Sequence, residues 1–327
     1  MRTRFSGRRS VGSRVETLEN RLQLSATLGA GGSVLRIFGE GNTANAITVA
    51  LAAGGTSVDV TVNGTTQSFF TSKLKRVQIV GGNLVDTINL AQPNGVLSAR
   101  FNIQTFGDND VVNLGSHRAF VDSGAGNDTV RAANTSEGRV VVRAGAGDDR
   151  VTLGNGDARV DGGLGNDTIA GGNGEVLLSG GAGNDTITAG NGKARLFGGK
   201  GNDTLRAGNG GATISGGADN DTITSGSGDD VLSGGAGNDS LSSDAGNDTI
   251  YGGAGNDVQR GGSGTVRLIA LSGTNTITVG TGPTTVYLNK LSTVTNPGSN
   301  VTVVLKGPSD SAGPGDPTSG LFSVSAI

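Results

Sequence analysis

Cysteine and tryptophan are absent from the 327 residues, and aromatic residues make up only 3%. Without cysteine there is neither a disulfide nor a thiolate metal site. Histidine occurs once, as His117. So few large side chains cannot fill a broad globular core, which leaves a thin, repetitive fold or disorder. No apolar run approaches the roughly 18 residues of a membrane-spanning helix, so no transmembrane segment is expected.

Glycine is what the chain has in quantity, with 61 residues. The net charge of -3 conceals an asymmetry: residues 1–26 hold six arginines against Glu16 and Glu19, and the remainder holds 19 basic against 26 acidic residues. Nucleic acid calls for a basic stripe and stacking rings. An acidic, aromatic-poor body argues against that partner and suits cations.

The glycines fall into a nine-residue unit. With Gly162 as position 1, positions 2 and 4 are nearly always Gly. Position 8 is aliphatic in Ile169, Leu178, Ile187, Leu196, Leu205, Ile214, Ile223, Leu232, Leu241 and Ile250. The frame runs back to Thr135 and, past a three-residue insertion at Ala132, Ala133 and Asn134, resumes at 105–131. Position 6 has a longer period. Asp149, Asp167, Asp185, Asp203, Asp221, Asp239 and Asp257 recur every 18 residues, and Asp128 and Asp110 continue the row across the insertion. Asp86 is a candidate start, and Asn275 stands where the next Asp would fall. The alternate units carry Ala158, Val176, Ala194 and Ala212 at position 6, until Asp230 and Asp248 break the rule.

A unit of six turn residues and a three-residue strand reverses the chain once, so two units close one coil. The expected fold is all-β: a right-handed parallel β-solenoid of 18-residue coils, with the Asp row along one edge. The strand period of two places position 8 inside and positions 7 and 9 in solvent. On the opposite edge Asn155, Asn173, Asn191 and Asn209 recur at position 3, which predicts a ladder of side-chain amides.

Segments such as "GGAGNDTIT", "GGKGNDTLR" and "GGAGNDSLS" resemble the hemolysin-type calcium-binding repeat, the RTX nonapeptide G-G-x-G-x-D-x-U-x. The resemblance is strong over residues 105–269. It implies a β-roll whose turns bind several Ca²⁺ ions through position-6 carboxylates and turn carbonyls. The candidate ligands are Asp110, Asp128, Asp149, Asp167, Asp185, Asp203, Asp221, Asp239 and Asp257, with Asp230 and Asp248 on the second edge. The chemistry agrees, since a hard dication takes six to eight oxygen ligands. Stacked carboxylates about 4.8 Å apart would repel without cations between them.

The flanks divide the rest. Residues 27–80 read as a β-rich cap, with Asn63-Gly64 as a hairpin turn in "VDVTVNGTTQSFF". The roll is assigned to 81–269, with an irregularity expected where Gln259 breaks the aliphatic column. Residues 270–305 read as degenerate Asp-free coils and 306–327 as a Pro/Gly/Ser-rich tail. Residues 1–26 form a basic, disordered export segment. There "VETLENRLQLSA" resembles the LEPR-XLL-type motif of large surface and secreted planctomycete proteins. Leu18, Glu19, Arg21, Leu24, Ser25 and Ala26 match, while Asn20 replaces Pro and Gln23 replaces Leu. The resemblance implies export, although no apolar stretch of an ordinary signal peptide follows the arginines.

No convergent acid, base and nucleophile set is visible. His117 falls at a turn position of a degenerate unit and reads as a surface residue, so no enzyme is expected. The expected protein is a secreted or cell-surface calcium-binding repeat protein with a structural or interaction role. Its partners would be calcium ions and cell-surface or matrix components. The alternatives are an adhesion or ice-binding surface, or a non-catalytic module derived from an RTX enzyme or toxin. Against ice binding, position 3 beside the Asp row is mostly Ala, with Leu164 and Lys200, and not a threonine array.

Overall fold

The computed structural model describes residues 25–29, 32–39, 43–70, 73–134, 138–289, 292–295, 300–305 and 321–322. The basic segment and most of the LEPR-XLL-like stretch lie outside these residues, as does nearly all of the tail. The described residues contain strands and turns and no helix. Two sheets run the length of the molecule, one of 16 strands and one of 15, and nearly all pairings are parallel.

One coil shows the design. Thr168–Ala170 forms a short strand, residues 171–175 turn, Val176–Ala182 forms a long strand, and residues 183–185 turn back into Thr186–Thr188. Partners differ by 18 residues: Val176 faces Ala194, Leu178 faces Leu196, and Ile187 faces Leu205. Like therefore stacks on like. The two strands are unequal, seven residues against three, because the long one extends through positions 1 to 3 of the following unit.

That length corrects the expectation that only position 8 points inward. Along Val176–Ala182 the buried residues are Val176, Leu178 and Gly180, at positions 6, 8 and 1. All three share the parity that a strand period of two sends to one side. Position 8 supplies the bulk of the core, and Leu178, Ile187, Leu196 and Leu205 are fully buried. Each such aliphatic side chain contributes about 1.5–3 kcal/mol. Positions 6 and 1 are small or polar, so the core is one side chain thick over much of its length.

The roll starts earlier than the repeats do. Val34–Phe38 already pairs in parallel with Arg76–Val80, and Asn45–Leu51 with Asp86–Ala91. Ser57–Val62 and Thr65–Phe70 form the expected hairpin around Asn63 and Gly64, whose φ values of 48° and 84° suit a tight two-residue turn. The hairpin lengthens the short-strand sheet at its N-terminal end. At the other end the coils continue through Thr284–Leu288 and Val301–Leu305. Gln259 causes no break. It is buried, keeps its place in the ladder opposite Leu241 and Ile277, and donates from Nε2 to the Ile269 carbonyl at 3.0 Å.

Candidate metal centre

The aspartates lie in the turns that lead from the long strands into the short ones. Asp110, Asp128, Asp149, Asp167, Asp185, Asp203, Asp221, Asp239 and Asp257 stand in one column, and each is buried. Asp230 and Asp248 are equally buried on the opposite edge. Position 6 has the inward parity, so these carboxylates point into the roll and not into solvent.

Each carboxylate uses one oxygen and leaves the other. Asp185 Oδ1 accepts the Asp167 N–H at 2.8 Å, and the Asp185 N–H donates to Asp203 Oδ1 at 2.7 Å. The same bond links every neighbouring pair from Asp86 to Asp257. On the second edge Asp230 Oδ1 takes the Ala212 N–H and Asp248 Oδ1 takes the Asp230 N–H. The Oδ2 atoms of all eleven candidate residues are buried and without a hydrogen-bond partner. A buried carboxylate oxygen with no partner is costly unless a cation or a proton meets it.

The surroundings of Oδ2 are oxygen-rich and small. A side chain on Gly162 would collide with both Asp167 Oδ2 and the Gly180 carbonyl oxygen, and Gly198, Gly216 and Gly234 repeat the arrangement one coil at a time. From Gly162 onward position 1 is thus kept free of Cβ where carboxylate and carbonyl converge, whereas Thr105, Ser123 and Ala144 hold that position in the coils of Asp110, Asp128 and Asp149. Gly181 and Gly183 take φ of 122° and 133°, a conformation that glycine adopts at no steric cost. Among the described residues no three carboxylate or imidazole groups converge. The column offers one carboxylate per coil, and a cation held there would draw its remaining oxygens from main-chain carbonyls, as a flexible oxygen site for calcium can.

Electrostatics follow from burial. Desolvation pushes the carboxyls of Asp128, Asp149, Asp167 and Asp221 up to about 7. Those of Asp110, Asp203, Asp230 and Asp239 rise to about 6 for the same reason. Asp185, Asp248 and Asp257 are also raised by burial. The main-chain N–H each accepts works in the opposite direction and does not cancel the effect.

A family model matches here. The RTX calcium-binding nonapeptide repeat (4 copies) matches eight adjoining or overlapping segments, from residues 122–160 to residues 251–286. This chain belongs to the RTX calcium-binding nonapeptide repeat family. The matched span reaches just over half of the chain and holds every candidate aspartate except Asp110. No curated protein and no solved structure matches the chain. The RTX column has two ends that differ from its middle. Asp86 Oδ1 accepts from the Asn45 N–H and Nδ2, and its Oδ2 accepts from the Gly82 N–H at 2.6 Å. Asn275 receives the Asp257 N–H on Oδ1 at 2.7 Å and donates from Nδ2 to the Ser272 carbonyl. Both ends are satisfied within the protein.

The expected asparagine ladder is present on the other edge, with one refinement. The Asn173 Oδ1 accepts the Asn191 main-chain N–H at 2.8 Å, and Asn191 Oδ1 accepts that of Asn209 at 3.0 Å. The side chains bond to main chain more than to one another. A second ladder beside the RTX aspartates went unread. Asn166, Asn184, Asn202, Asn220, Asn238 and Asn256 at position 5 each accept the N–H of the residue one coil on, at 2.7–2.9 Å. Its signal was in plain sight, the Asn of every Asn-Asp pair. His117 is a correction. It is 2% exposed and not a surface turn residue. Its Nε2 accepts the Leu97 N–H at 3.1 Å, which leaves Nδ1 to carry the proton to the Leu114 carbonyl at 2.8 Å. Phe101 meets the ring edge to face.

Proposed function

We propose that this RTX roll folds as it binds calcium, with the Oδ2 atoms of Asp110, Asp128, Asp149, Asp167, Asp185, Asp203, Asp221, Asp239 and Asp257, and of Asp230 and Asp248 on the second edge, as its carboxylate ligands. The observation that carries this reading is the set of eleven buried Oδ2 atoms without a partner. A structure that buries so many half-satisfied acids without metal contradicts the rule that buried polar groups are bonded. Cation binding would supply folding free energy to a thin core that has little of its own.

The role is structural or interactive, at the cell surface or outside the cell, where calcium is available to complete the fold. His117 has both ring nitrogens engaged inside the protein, so it is not free to act as a base, and no other imidazole exists in the chain. Among the described residues no helix is long and apolar enough to cross a membrane. Export rests on the basic N-terminus and its LEPR-XLL-like stretch.

The deciding experiment is a calcium titration of the purified full chain, followed by circular dichroism and by metal analysis after desalting. Cooperative gain of β signal with several bound ions per chain is expected. An equally folded chain in excess chelator would sink the reading.

A further inference from the structure

The edge opposite the aspartate column carries a second row of like charges that calcium binding does not use. Arg76, Arg100, Arg118 and Arg139 occupy the same register position in four successive coils. Arg76 pairs with Arg100; Arg100 and Arg118 directly precede the pair Phe101 and Ala119, and Arg118 and Arg139 stand two residues before the pair Phe120 and Val141. Neighbouring coils stand one inter-strand distance apart, about 4.8 Å, so four guanidinium-bearing residues rise in single file. Arg76, Arg100 and Arg139 are exposed and Arg118 is half-buried. Lys75 adds a fifth cation at the same level. With Ser33 and Val34, the residues Lys75, Arg76, Arg100 and Arg118 line a groove of about 400 Å³.

Among the described residues no carboxylate forms an ion pair with any of these cations. The polar contact that is present, Arg118 Nη2 to the Ser98 carbonyl at 3.4 Å, is a long one. The stem of Arg118 lies against Gly138 of the next coil, where a Cβ would come within 3.1 Å of its Cδ, so the side chain is aligned along the roll. The first acids in the column, Asp157 and Glu175, come only after the four arginines. A second cleft, of about 410 Å³, runs on from Arg139 past Glu175, Lys193 and Arg195 to Gly211 and Thr213.

We propose that this arginine file binds a linear acidic polysaccharide, carrying a carboxylate or sulfate at regular intervals and lying along the solenoid axis. Stacked like charges repel, and a line of anions laid across them removes that repulsion. The planar guanidinium fork matches carboxylate and sulfate oxygens two at a time. The geometry is one residue wide and several coils long, which fits a single polymer chain. A single nucleic acid strand would want aromatic platforms for its bases, and no aromatic residue lines either cleft. A flat anionic membrane would meet a broad face of a net-acidic body, and not one narrow file. The file lies away from the RTX aspartate column, so the inference does not rest on the calcium reading.

The test uses the full chain folded in millimolar calcium, with immobilised polygalacturonate and dextran sulfate as probes and neutral dextran as the blank. Salt-sensitive binding to at least one polyanion and none to dextran is expected. The variant Arg76→Ser/Arg100→Ser/Arg118→Ser/Arg139→Ser should lose affinity about tenfold or more and flatten the salt dependence, since each lost contact lowers that slope. A control, Arg131→Ser/Arg206→Ser/Arg260→Ser, removes exposed cations of the short-strand sheet and should bind as the parent does. Circular dichroism confirms that each variant folds with calcium. If the fourfold variant does not fold, the single exposed charge reversal Arg100→Glu replaces it. Unchanged binding by the file variant, or equal loss in the control, overturns the proposal. So does a single-stranded oligonucleotide or a phosphatidylserine vesicle that binds as tightly through the same arginines.

Discussion

At the aspartate edge the position-6 N–H of each coil donates to the carboxylate of the next coil, as Asp167 does to Asp185. At the opposite edge the equivalent N–H groups of Ala158, Val176 and Ala194 donate to the main-chain carbonyls of Glu175, Lys193 and Gly211. One backbone thus satisfies one donor in two ways. The second edge even switches between them: Ala212 donates to Asp230 and Asp230 to Asp248, and Asp248 then returns to a carbonyl, that of Thr265. Stacking the coils therefore does not require an acid at position 6. What the acid adds is a second oxygen, buried and unpaired, and that oxygen has a use only when something charged or protic meets it.

If this contrast is right, pH should reveal it most strongly. Burial raises the folded-state carboxyls of the aspartate edge, those of Asp110, Asp203 and Asp239 to about 6 and those of Asp128, Asp149, Asp167 and Asp221 to about 7, above the ordinary aspartate value of 3.8. A raised folded-state value stabilises the fold fully below the unfolded value, and that stability is lost as pH rises through the folded one. The calcium-free roll should gain β signal on acidification from pH 7.5 to about 4.5, whereas the calcium-loaded roll should hold at neutral pH and lose ions as the carboxylates protonate. Circular dichroism across pH should show the β signal rising toward acid in chelator and staying level in calcium, where only the bound-ion count falls. Parallel trends would end the distinction between the edges.

A single substitution sharpens the point. In Asp167→Asn the amide oxygen can still accept the Asp149 N–H, while the amide nitrogen replaces the orphaned Oδ2 beside the Gly180 carbonyl. The variant should be more stable than the parent in chelator by about 1–3 kcal/mol and should need more calcium to fold. Both shifts can be read from urea melts with and without calcium. The mirror experiment is Ala194→Asp. Val176 N–H is already bonded to the Lys193 carbonyl at 2.9 Å, so the new buried acid must displace that bond to gain one partner, and its second oxygen is orphaned in any case. A loss of about 1–3 kcal/mol is expected in either condition.

The smallest expected effect concerns the ladder. Asn191→Ala removes the acceptor for the Asn209 N–H at an exposed turn. It should cost about 0.5–1.5 kcal/mol and leave the calcium midpoint unmoved. A displaced midpoint would mean that the two edges are coupled through the roll.

Much of this was legible because the strongest signals are strictly periodic. The 18-residue recurrence of Asp149 to Asp257 gave the coil, the edge and the candidate ligands together. What escaped was whatever the nine-residue frame treats as equal but the fold does not. The frame assigns three-residue strands to both halves, and it could not show that one half runs to seven by borrowing from the next unit. Nor could it show that position 6, in the turn just ahead of the short strand, keeps the inward side of position 8 and so buries the aspartates. The arginine file escaped for a different reason. Arg76, Arg100, Arg118 and Arg139 are separated by unequal stretches of sequence, because these coils differ in turn length, and only the strand register brings them into line. His117 was misread because a degenerate unit was assumed to keep the exposure of its consensus.

The satisfied ends of the aspartate column have a consequence for how such a chain can change. Asp86 closes one end with three donors from its own neighbourhood, and Asn275 closes the other with a neutral amide. Between them every joint is the same. Removing residues 168–185 would bring Asp203 into the place Asp185 now holds below Asp167, and duplicating that stretch would add one joint of identical make. The terminal pieces would not register the difference. The molecule is built like a chain of links with dedicated clasps, whose reach can be altered by whole links without redesigning either clasp.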